Sequence, residues 1–254
     1  MALIENEMPV NKVGQIVDEN AHRLWSVFNY WIERAYSNDK PAKIEILGLD
    51  ETSCRKGHTY ITVAADLAER RVIHLTEGKD KLAVDRIKSY FLSKGLSPDD
   101  VKHVSMDMSP SFISGTKNNF KKAEIHFDRF HVVKLLNEAM DAVRKQERQE
   151  HEKLKGHKYI FLKNKSKLSD SKRKTLGELI KLFPLLGEAY RLKELFNDLW
   201  KQETEEDVMV FLKDWFEQVE ASKIESFKKF AKTVMAHRSG IINFCGTRIN
   251  PNIS

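Results

Sequence analysis

The feature that most constrains the fold is a change of hydrophobic period between residues 44 and 150. Residues 44–49, 59–64 and 71–75 are short apolar runs at hairpin-like distances, which predicts three consecutive strands. From residue 80 onward, stretches with apolar residues at helical spacing alternate with two further short apolar runs. The predicted order is β-β-β-α-β-α-β-α. This order implies an α/β mixed sheet with helices packed on it.

Both flanks of this region have helical patterns. Residues 10–36 predict two helices separated at residues 18–20, which is either part of a helix-turn-helix or a helical hairpin that only packs on the main domain. Residues 151–240 contain four amphipathic stripes and no strand pattern. We therefore predict a helical segment over residues 1–43, an α/β core over 44–150, and a helical region over 151–254.

Composition excludes several classes of protein. Hydrophobic residues make up 41% of the 254 residues and charged residues 31%, which is enough apolar material for a sizeable core. Cys54 and Cys245 are the only cysteines, so a disulfide framework and a four-cysteine zinc site are excluded. No apolar run approaches the ~20 residues that a membrane helix needs, and residues 1–10 lack the pattern of a signal peptide. We expect a cytoplasmic protein with neither a membrane nor a small-molecule substrate as partner.

Two carboxylates follow apolar runs that are predicted to lie in the middle of the sheet. Asp50 follows Leu49, and Asp107 follows Met106. If the two strands are neighbours, the carboxylates converge, and a divalent cation removes their mutual repulsion. Oxygen ligands without a nearby thiolate favour Mg²⁺ or Mn²⁺ over zinc. The alternative is that Asp50 caps a turn and Asp107 caps the next helix.

Four segments of the chain resemble the DDE transposases of one group of bacterial insertion sequences. This group carries an Asp-Arg-Phe-His-Val motif and an N-terminal zinc module, and the match runs in order from about residue 10 to residue 254. The segments that carry the resemblance are Gly-Leu-Asp-Glu-Thr-Ser at 48–53, Arg-Lys-Gly-His at 55–58, Ser-Met-Asp-Met-Ser-Pro at 105–110 and Phe-Asp-Arg-Phe-His-Val-Val-Lys at 127–134.

The resemblance implies an RNase H-like fold with a helical insertion before the last catalytic helix. Asp50 and Asp107 match the family's first and second catalytic aspartates, which bind Mg²⁺ or Mn²⁺; the intact family site holds two ions. Asp128 and His131 match the segment at the end of the last strand and are expected beside the site, positioning ligands or substrate. For His131, a helix-capping or packing role remains open.

The chain departs from the family pattern at both ends. It cannot build the cysteine zinc module, and only the later part of a helix-turn-helix is present. The family's third acidic residue is expected just after the segment that resembles residues 246–250, whereas this chain stops at Ser254 and has no Asp or Glu after Glu225. We therefore expect a chain truncated at both ends, with strand transfer greatly reduced or absent.

Positive charge is concentrated in residues 145–174, here called the basic segment. It contains eleven Lys and Arg against four Asp and Glu, while the whole chain has a net charge of +6. The segment is either a DNA-binding surface, which contacts phosphates without reading sequence, or a solvated linker. The candidate DNA-binding residues are Lys153, Lys155, Lys158, Lys163, Lys165, Lys167, Lys172, Arg173 and Lys174.

By resemblance, the chain is predicted to be a bacterial insertion-sequence transposase that cuts DNA and transfers strands at transposon ends. Its partners are then the transposon ends and the target DNA, and paired ends imply two copies acting together. The alternative is a non-catalytic DNA-binding remnant or a regulator of an intact transposase. A simple metal-dependent nuclease on the same fold is a third option.

Overall fold

The computed structural model of the protein describes residues 6, 8–39, 41, 43–55 and 59–247. The chain divides into two compact units, Met1–Ala42 and Lys43–Ser254. Two segments that carry the family resemblance lie partly outside the described residues, at 56–58 and 248–250.

The first unit contains helices α1 (Val10–Val17) and α2 (Ala21–Asn38), which confirms the predicted helical pair and its break. Asp18 ends α1 in the left-handed conformation, with φ of 54°. The Asn20 side chain accepts a hydrogen bond of 2.8 Å from the backbone N–H of His22, which satisfies one of the unpaired N–H groups at the start of α2.

The second unit is built on a five-stranded mixed sheet in the order β3-β2-β1-β4-β5. The strands β1, β2 and β3 form an antiparallel meander, and β4 and β5 extend the sheet in parallel with β1. This confirms the predicted strand and helix order. The strands are β1 (Ile46–Arg55), β2 (Thr59–Asp66), β3 (Arg71–Glu77), β4 (His103–Met106) and β5 (Glu124–Phe127).

Strand β1 is longer than predicted. The sequence placed its end at Leu49, but the strand continues to Arg55, so Asp50 lies within it. The polar second half remains a strand because it pairs antiparallel with β2, with Asp50 opposite Val63 and Thr52 opposite Ile61. Ladder hydrogen bonds with β2 therefore hold residues whose side chains alone carry no strand signal.

Two helices connect the parallel strands, α3 (Lys81–Ser93) and α4 (Pro110–Asn119). The Asp80 side chain caps α3 by accepting a hydrogen bond of 3.0 Å from Ala83 N–H, and Pro110 begins α4, where its missing N–H is tolerated. The helices approach so closely that a Cβ at Gly115 would lie 2.7 Å from the Val84 side chain.

The rest of the chain is helical, and none of its described residues from 151 to 247 forms a strand. Trp215, Phe196 and Phe230 form an aromatic cluster with ring centroids 4.8–5.8 Å apart, continuous with the core under the sheet. The helices are α5 (Arg129–Glu150), α6 (Lys158–Leu162), α7 (Asp170–Leu182), α8 (Pro184–Phe196), α9 (Glu205–Ser222), α10 (Glu225–Ala236) and α11 (Arg238–Thr247).

Helix α11 returns the chain to the sheet and packs along the edge strand β5. The Asn243 side chain donates a hydrogen bond of 3.0 Å to the backbone carbonyl of Ile125. Gly240 lies against the Phe127 ring.

Among the described residues, no helix is both long enough and apolar enough to cross a lipid bilayer.

The contact between α11 and β5 gives a test of the fold. In Gly240→Ala the new Cβ would lie 2.5 Å from the Phe127 ring, and such overpacking costs about 1–3 kcal/mol of unfolding free energy. The matched control is Gly177→Ala in α7, where a Cβ meets nothing within 4 Å, and which should be stabilising by about 0.5–1 kcal/mol. Urea unfolding followed by circular dichroism measures both; equal shifts would contradict this packing.

Candidate functional site

The parallel pairing of β1 with β4 brings together the two aspartates selected from the sequence. The register pairs Ile46 with His103 and Gly48 with Ser105. Continued for two residues, which takes the chain one residue past the end of β4 at Met106, this register would bring Asp50 level with Asp107. Residues level with each other on parallel strands share a face of the sheet, so both carboxylates lie on the face that carries Gly48 and Ser105.

The pairing of β4 with β5 adds a third carboxylate to the same level. Met106 pairs with Phe127, and the next residues are Asp107 and Asp128. We call Asp50, Asp107 and Asp128 the carboxylate row. Asp50 is exposed, Asp107 is partly exposed and Asp128 is buried, so the row runs from solvent towards the interior.

Backbone N–H groups hold one oxygen of each carboxylate in the row. Glu51 N–H donates to Asp50 Oδ1 at 2.8 Å, Ser109 N–H to Asp107 Oδ1 at 2.9 Å, and Phe130 N–H to Asp128 Oδ1 at 2.9 Å. Neither contact is the cap that the alternative named, because Asp50 lies within β1 and the N-cap of α4 is Ser109. The contacts engage only Oδ1, and Oδ2 of Asp50 and Asp107 accepts no hydrogen bond from any described residue.

Asp128 experiences the charge of Asp50. Burial raises the pKa of Asp128 above its usual value, the Phe130 N–H and the charge of His131 lower it, and the negative charge of Asp50 raises it again. The repulsion is the conflict between converging carboxylates that a bound cation relieves. The three groups offer only oxygen ligands, which suits Mg²⁺ or Mn²⁺.

His131 lies in the first turn of α5, next to the carboxylate row. Its Nε2 is 3.9 Å from Asp128 Oδ2, and the imidazole is partly buried. The structure thus places His131 beside Asp128, and Asp128 within the electrostatic influence of Asp50. Asp128 begins α5 as its N-cap, whereas His131 makes no cap hydrogen bond.

A cleft of about 770 Å³ opens from Asp128 towards the basic segment. Lys163 and Lys167 line it on the side of the helical region, and Arg129 lines it at the start of α5. The Arg129 guanidinium lies 5.3 Å from the centre of the Trp200 ring, which also lines the cleft. The other lining residues are Phe130, Val133, Asn137, Leu162, Asn164, Asn197 and Phe244.

The basic segment is fully folded, and all nine candidate DNA-binding residues within it are exposed. Lys163 and Lys167 face the cleft, and Lys158 lines a smaller adjoining pocket, where it lies 3.8 Å from Asp141. Arg173 is engaged locally, with its guanidinium 3.3 Å from Asp170. The remaining residues, Lys153, Lys155, Lys165, Lys172 and Lys174, are exposed but do not line the cleft.

Sequence reasoning missed Arg129 and Trp200 as lining residues of the cleft. Arg129 stands inside the segment that carries the resemblance, next to Asp128, so its position was an available signal. Trp200 is about 70 residues further along the chain and has no motif around it. Only the packing of the helical region brings it there.

A second cluster lies on the same face at the other end of β4 and β5. His103, Glu124 and His126 place one ligand atom each within 4.8 Å of one another. Burial, together with the neighbouring charge of His103, lowers the pKa of His126 to about 4, so its ring is neutral at pH 7. No motif pointed to this cluster, although two histidines near predicted strands were visible in the sequence.

The chain is similar in sequence to known transposases. Residues 47–252 match the family model described as a transposase, of the ISL3 type of DDE transposases. The transposase for insertion sequence element IS1001 of Bordetella parapertussis is 28% identical over 222 residues, which cover 84% of this chain and 54% of that protein. The transposase for insertion sequence element IS1557 of Mycobacterium tuberculosis is 25% identical over 244 residues, with 85% and 54% covered. The chain spans about half the length of these curated relatives.

The capping role of Asp128 can be separated from its charge. Asp128→Ala removes the acceptor of the Phe130 N–H and should lower the unfolding free energy by about 1 kcal/mol. Asp128→Asn keeps an equally good cap and removes the repulsion with Asp50, so its stability should equal or exceed that of the parent. Urea titration at pH 7 distinguishes the two; an unchanged Asp128→Ala protein would show that the cap contributes nothing.

Proposed function

Because the chain belongs to the ISL3 type of the DDE transposase family, we propose that it forms the catalytic core that cuts and joins DNA at the ends of a bacterial insertion sequence. The proposal is supported by the carboxylate row, one aspartate within β1 and one directly after each of the neighbouring parallel strands β4 and β5. The DNA substrates are then the ends of the element and the target DNA, handled by two copies of the protein.

Asp50 and Asp107 are the proposed ligands of the metal ion. Transposases of this family generally use a divalent metal, and the all-oxygen donor set of the row fits Mg²⁺ or Mn²⁺. Bound there, such an ion neutralises charge on the phosphoryl oxygens and makes water or a 3′-hydroxyl a better nucleophile.

The protein's own groups orient this site. The N–H groups of Glu51 and Ser109 hold one oxygen of each aspartate, so the other oxygen is directed without further ordering of the side chain. Pre-ordered ligands avoid a reorganisation cost when the reaction occurs. Asp128 adds negative charge beside the pair, and His131 offers a ring nitrogen at the entrance of α5, where it can position a phosphate oxygen.

The cleft supplies the path for the DNA backbone. Lys163, Lys167 and Arg129 present positive charge along a groove that begins at Asp128, so a phosphate chain lying in the groove passes the carboxylate row. Cationic contacts of this kind give affinity without sequence preference and weaken as salt rises. In this proposal the cleft positions the DNA backbone, and the carboxylate row binds the metal ion.

The role of the aspartates is tested by removing charge while keeping shape. Asp50→Asn and Asp107→Asn should each lower the rate of Mn²⁺-dependent cleavage of DNA carrying the element's ends by at least about 10²-fold, and should weaken Mn²⁺ binding measured by electron paramagnetic resonance. DNA affinity should stay within about twofold, because neither residue is part of the cationic cleft.

Asp99→Asn is the matched control, since Asp99 is exposed and pairs with Lys122 away from the row; it should behave like the parent. Mn²⁺ binding that survives both substitutions would contradict the assignment. Firm DNA binding by a parent protein that never cuts would favour the alternative of a non-catalytic DNA-binding protein. Degradation of DNA without element ends would favour a general nuclease.

The path of the DNA is tested within the basic segment. Lys163→Ala with Lys167→Ala should lower DNA affinity and reduce the slope of log affinity against log salt by about 2, one unit for each lost phosphate contact. Lys172→Ala with Lys174→Ala removes the same charge from α7, outside the cleft, and should change the slope far less. Fluorescence anisotropy across a salt series measures both pairs, and equal slopes would place the DNA elsewhere.

A further inference from the structure

Four polar side chains form a square on one face of β4 and β5. His103 pairs in register with Glu124, and Ser105 pairs with His126. Because alternate residues of a strand share a face, all four side chains project from the same side of the sheet. The square lies towards the amino-terminal end of the two strands. Its nearer members, Ser105 and His126, are each two residues from Asp107 and Asp128, about 7 Å at about 3.3 Å per residue.

The ligand atoms of three members are spaced as the donors of one small metal ion are. His103 Nδ1 lies 3.0 Å from His126 Nε2 and 3.6 Å from Glu124 Oε2. Donors that bind a tetrahedral ion at about 2.0–2.1 Å are about 3.3 Å apart. These two distances lie on either side of this value, and all three ligand atoms lie within 4.8 Å of one another, so side-chain adjustment would bring the three donors onto one centre.

A second hydrogen bond, made by the ring nitrogen that does not face His103, fixes the orientation of the His126 ring. Its Nε2 faces His103, and the ring also hydrogen-bonds the backbone of Asn243 in α11, which leaves Nδ1 as the nitrogen that makes this contact. A metal-binding histidine characteristically gives its second ring nitrogen to a carbonyl or a carboxylate, which fixes the tautomer and the ring plane. With its proton on Nδ1, the ring would present the lone pair of Nε2 to His103.

The hydroxyl of Ser105 is an independent indication that a ligand belongs between these four side chains. Its side chain is fully buried, and its Oγ makes no hydrogen bond with any described residue. A buried hydroxyl without a partner costs free energy, and this one is the fourth corner of the square. A water bound to an ion between the three donors would give the hydroxyl its missing partner.

We propose that His103, Glu124 and His126 bind one Zn²⁺ ion, separate from the carboxylate row, which fastens β5 and α11 to the sheet. Two imidazoles and one carboxylate are a donor set that favours zinc over magnesium. The His103 and Glu124 side chains are 26% and 62% exposed, so the ion can enter from solvent. This site does not depend on the proposed DNA chemistry.

The ion would stabilise a short strand at the edge of the sheet. Strand β5 has four residues and lies at the edge of the sheet. The ion would bridge β5 to β4, and through His126 and Asn243 it would be coupled to α11. Because Asp128 directly follows β5, this also fixes the inner end of the carboxylate row.

The test is zinc binding by the full chain after removal of metal with a chelator. Titration with Zn²⁺ against a chromophoric competitor should show one tight equivalent, and Co²⁺ should give visible bands of a four- or five-coordinate nitrogen and oxygen site. Glu124→Gln, an exposed change that leaves the fold intact, and His103→Ala should each lower zinc affinity more than about tenfold, since even residues behind a ligand alter it by about 10–100-fold.

His157→Ala is the control, because this partly exposed histidine lies outside the cluster, and it should bind zinc like the parent. Zinc should also raise the Tm of the parent and of His157→Ala but not that of Glu124→Gln. The proposal is overturned if the parent binds no zinc, or if Glu124→Gln and His103→Ala bind it unchanged. It is equally overturned if Asp50→Asn with Asp107→Asn abolishes the tight equivalent, because the ion then belongs to the carboxylate row.

Discussion

The parallel register of β1, β4 and β5 is the constraint on which the rest of the structure depends. It places Asp50, Asp107 and Asp128 at one level on one face, although they are separated by 57 and 21 positions in the chain. A slip of one residue in either ladder would turn a carboxylate to the opposite face. Leu47 and Val104 pair in register, and both are buried.

The same register creates an electrostatic cost and the means to offset it. Asp128 is buried and lies within the field of Asp50, so the row is least favourable when all three groups are ionised and no cation is present. The backbone N–H groups of Glu51, Ser109 and Phe130 hold one oxygen of each carboxylate. This compensation leaves oxygens available, which is what a site for a divalent ion requires.

The helical region lines one side of the cleft and contributes none of the three carboxylates. Its aromatic cluster around Trp215 fixes α8 to α10, and this packing sets Trp200, Lys163 and Lys167 across the cleft from the first turn of α5. The chain then returns through α11 to the edge of β5. Core packing therefore brings the proposed DNA-binding lysines close to strands that are far from them in the sequence. Helix α11 then covers the outer edge of β5.

The sequence by itself determined the order of strands and helices, because hydrophobic period is a local property that short segments report directly. It also pointed to Asp50, Asp107, Asp128 and His131, of which the structure places His131 beside Asp128 and Asp128 within the influence of Asp50, while their roles stay a prediction. The second half of β1 was missed because its strand character comes from pairing with β2 rather than from its own residues. Only the tertiary structure decided which lysines of the basic segment face the cleft, and only it placed His103 beside Glu124 and His126. These residues are neighbours in space but distant in the chain. Packing and strand pairing determine such neighbours, and no local sequence pattern predicts them.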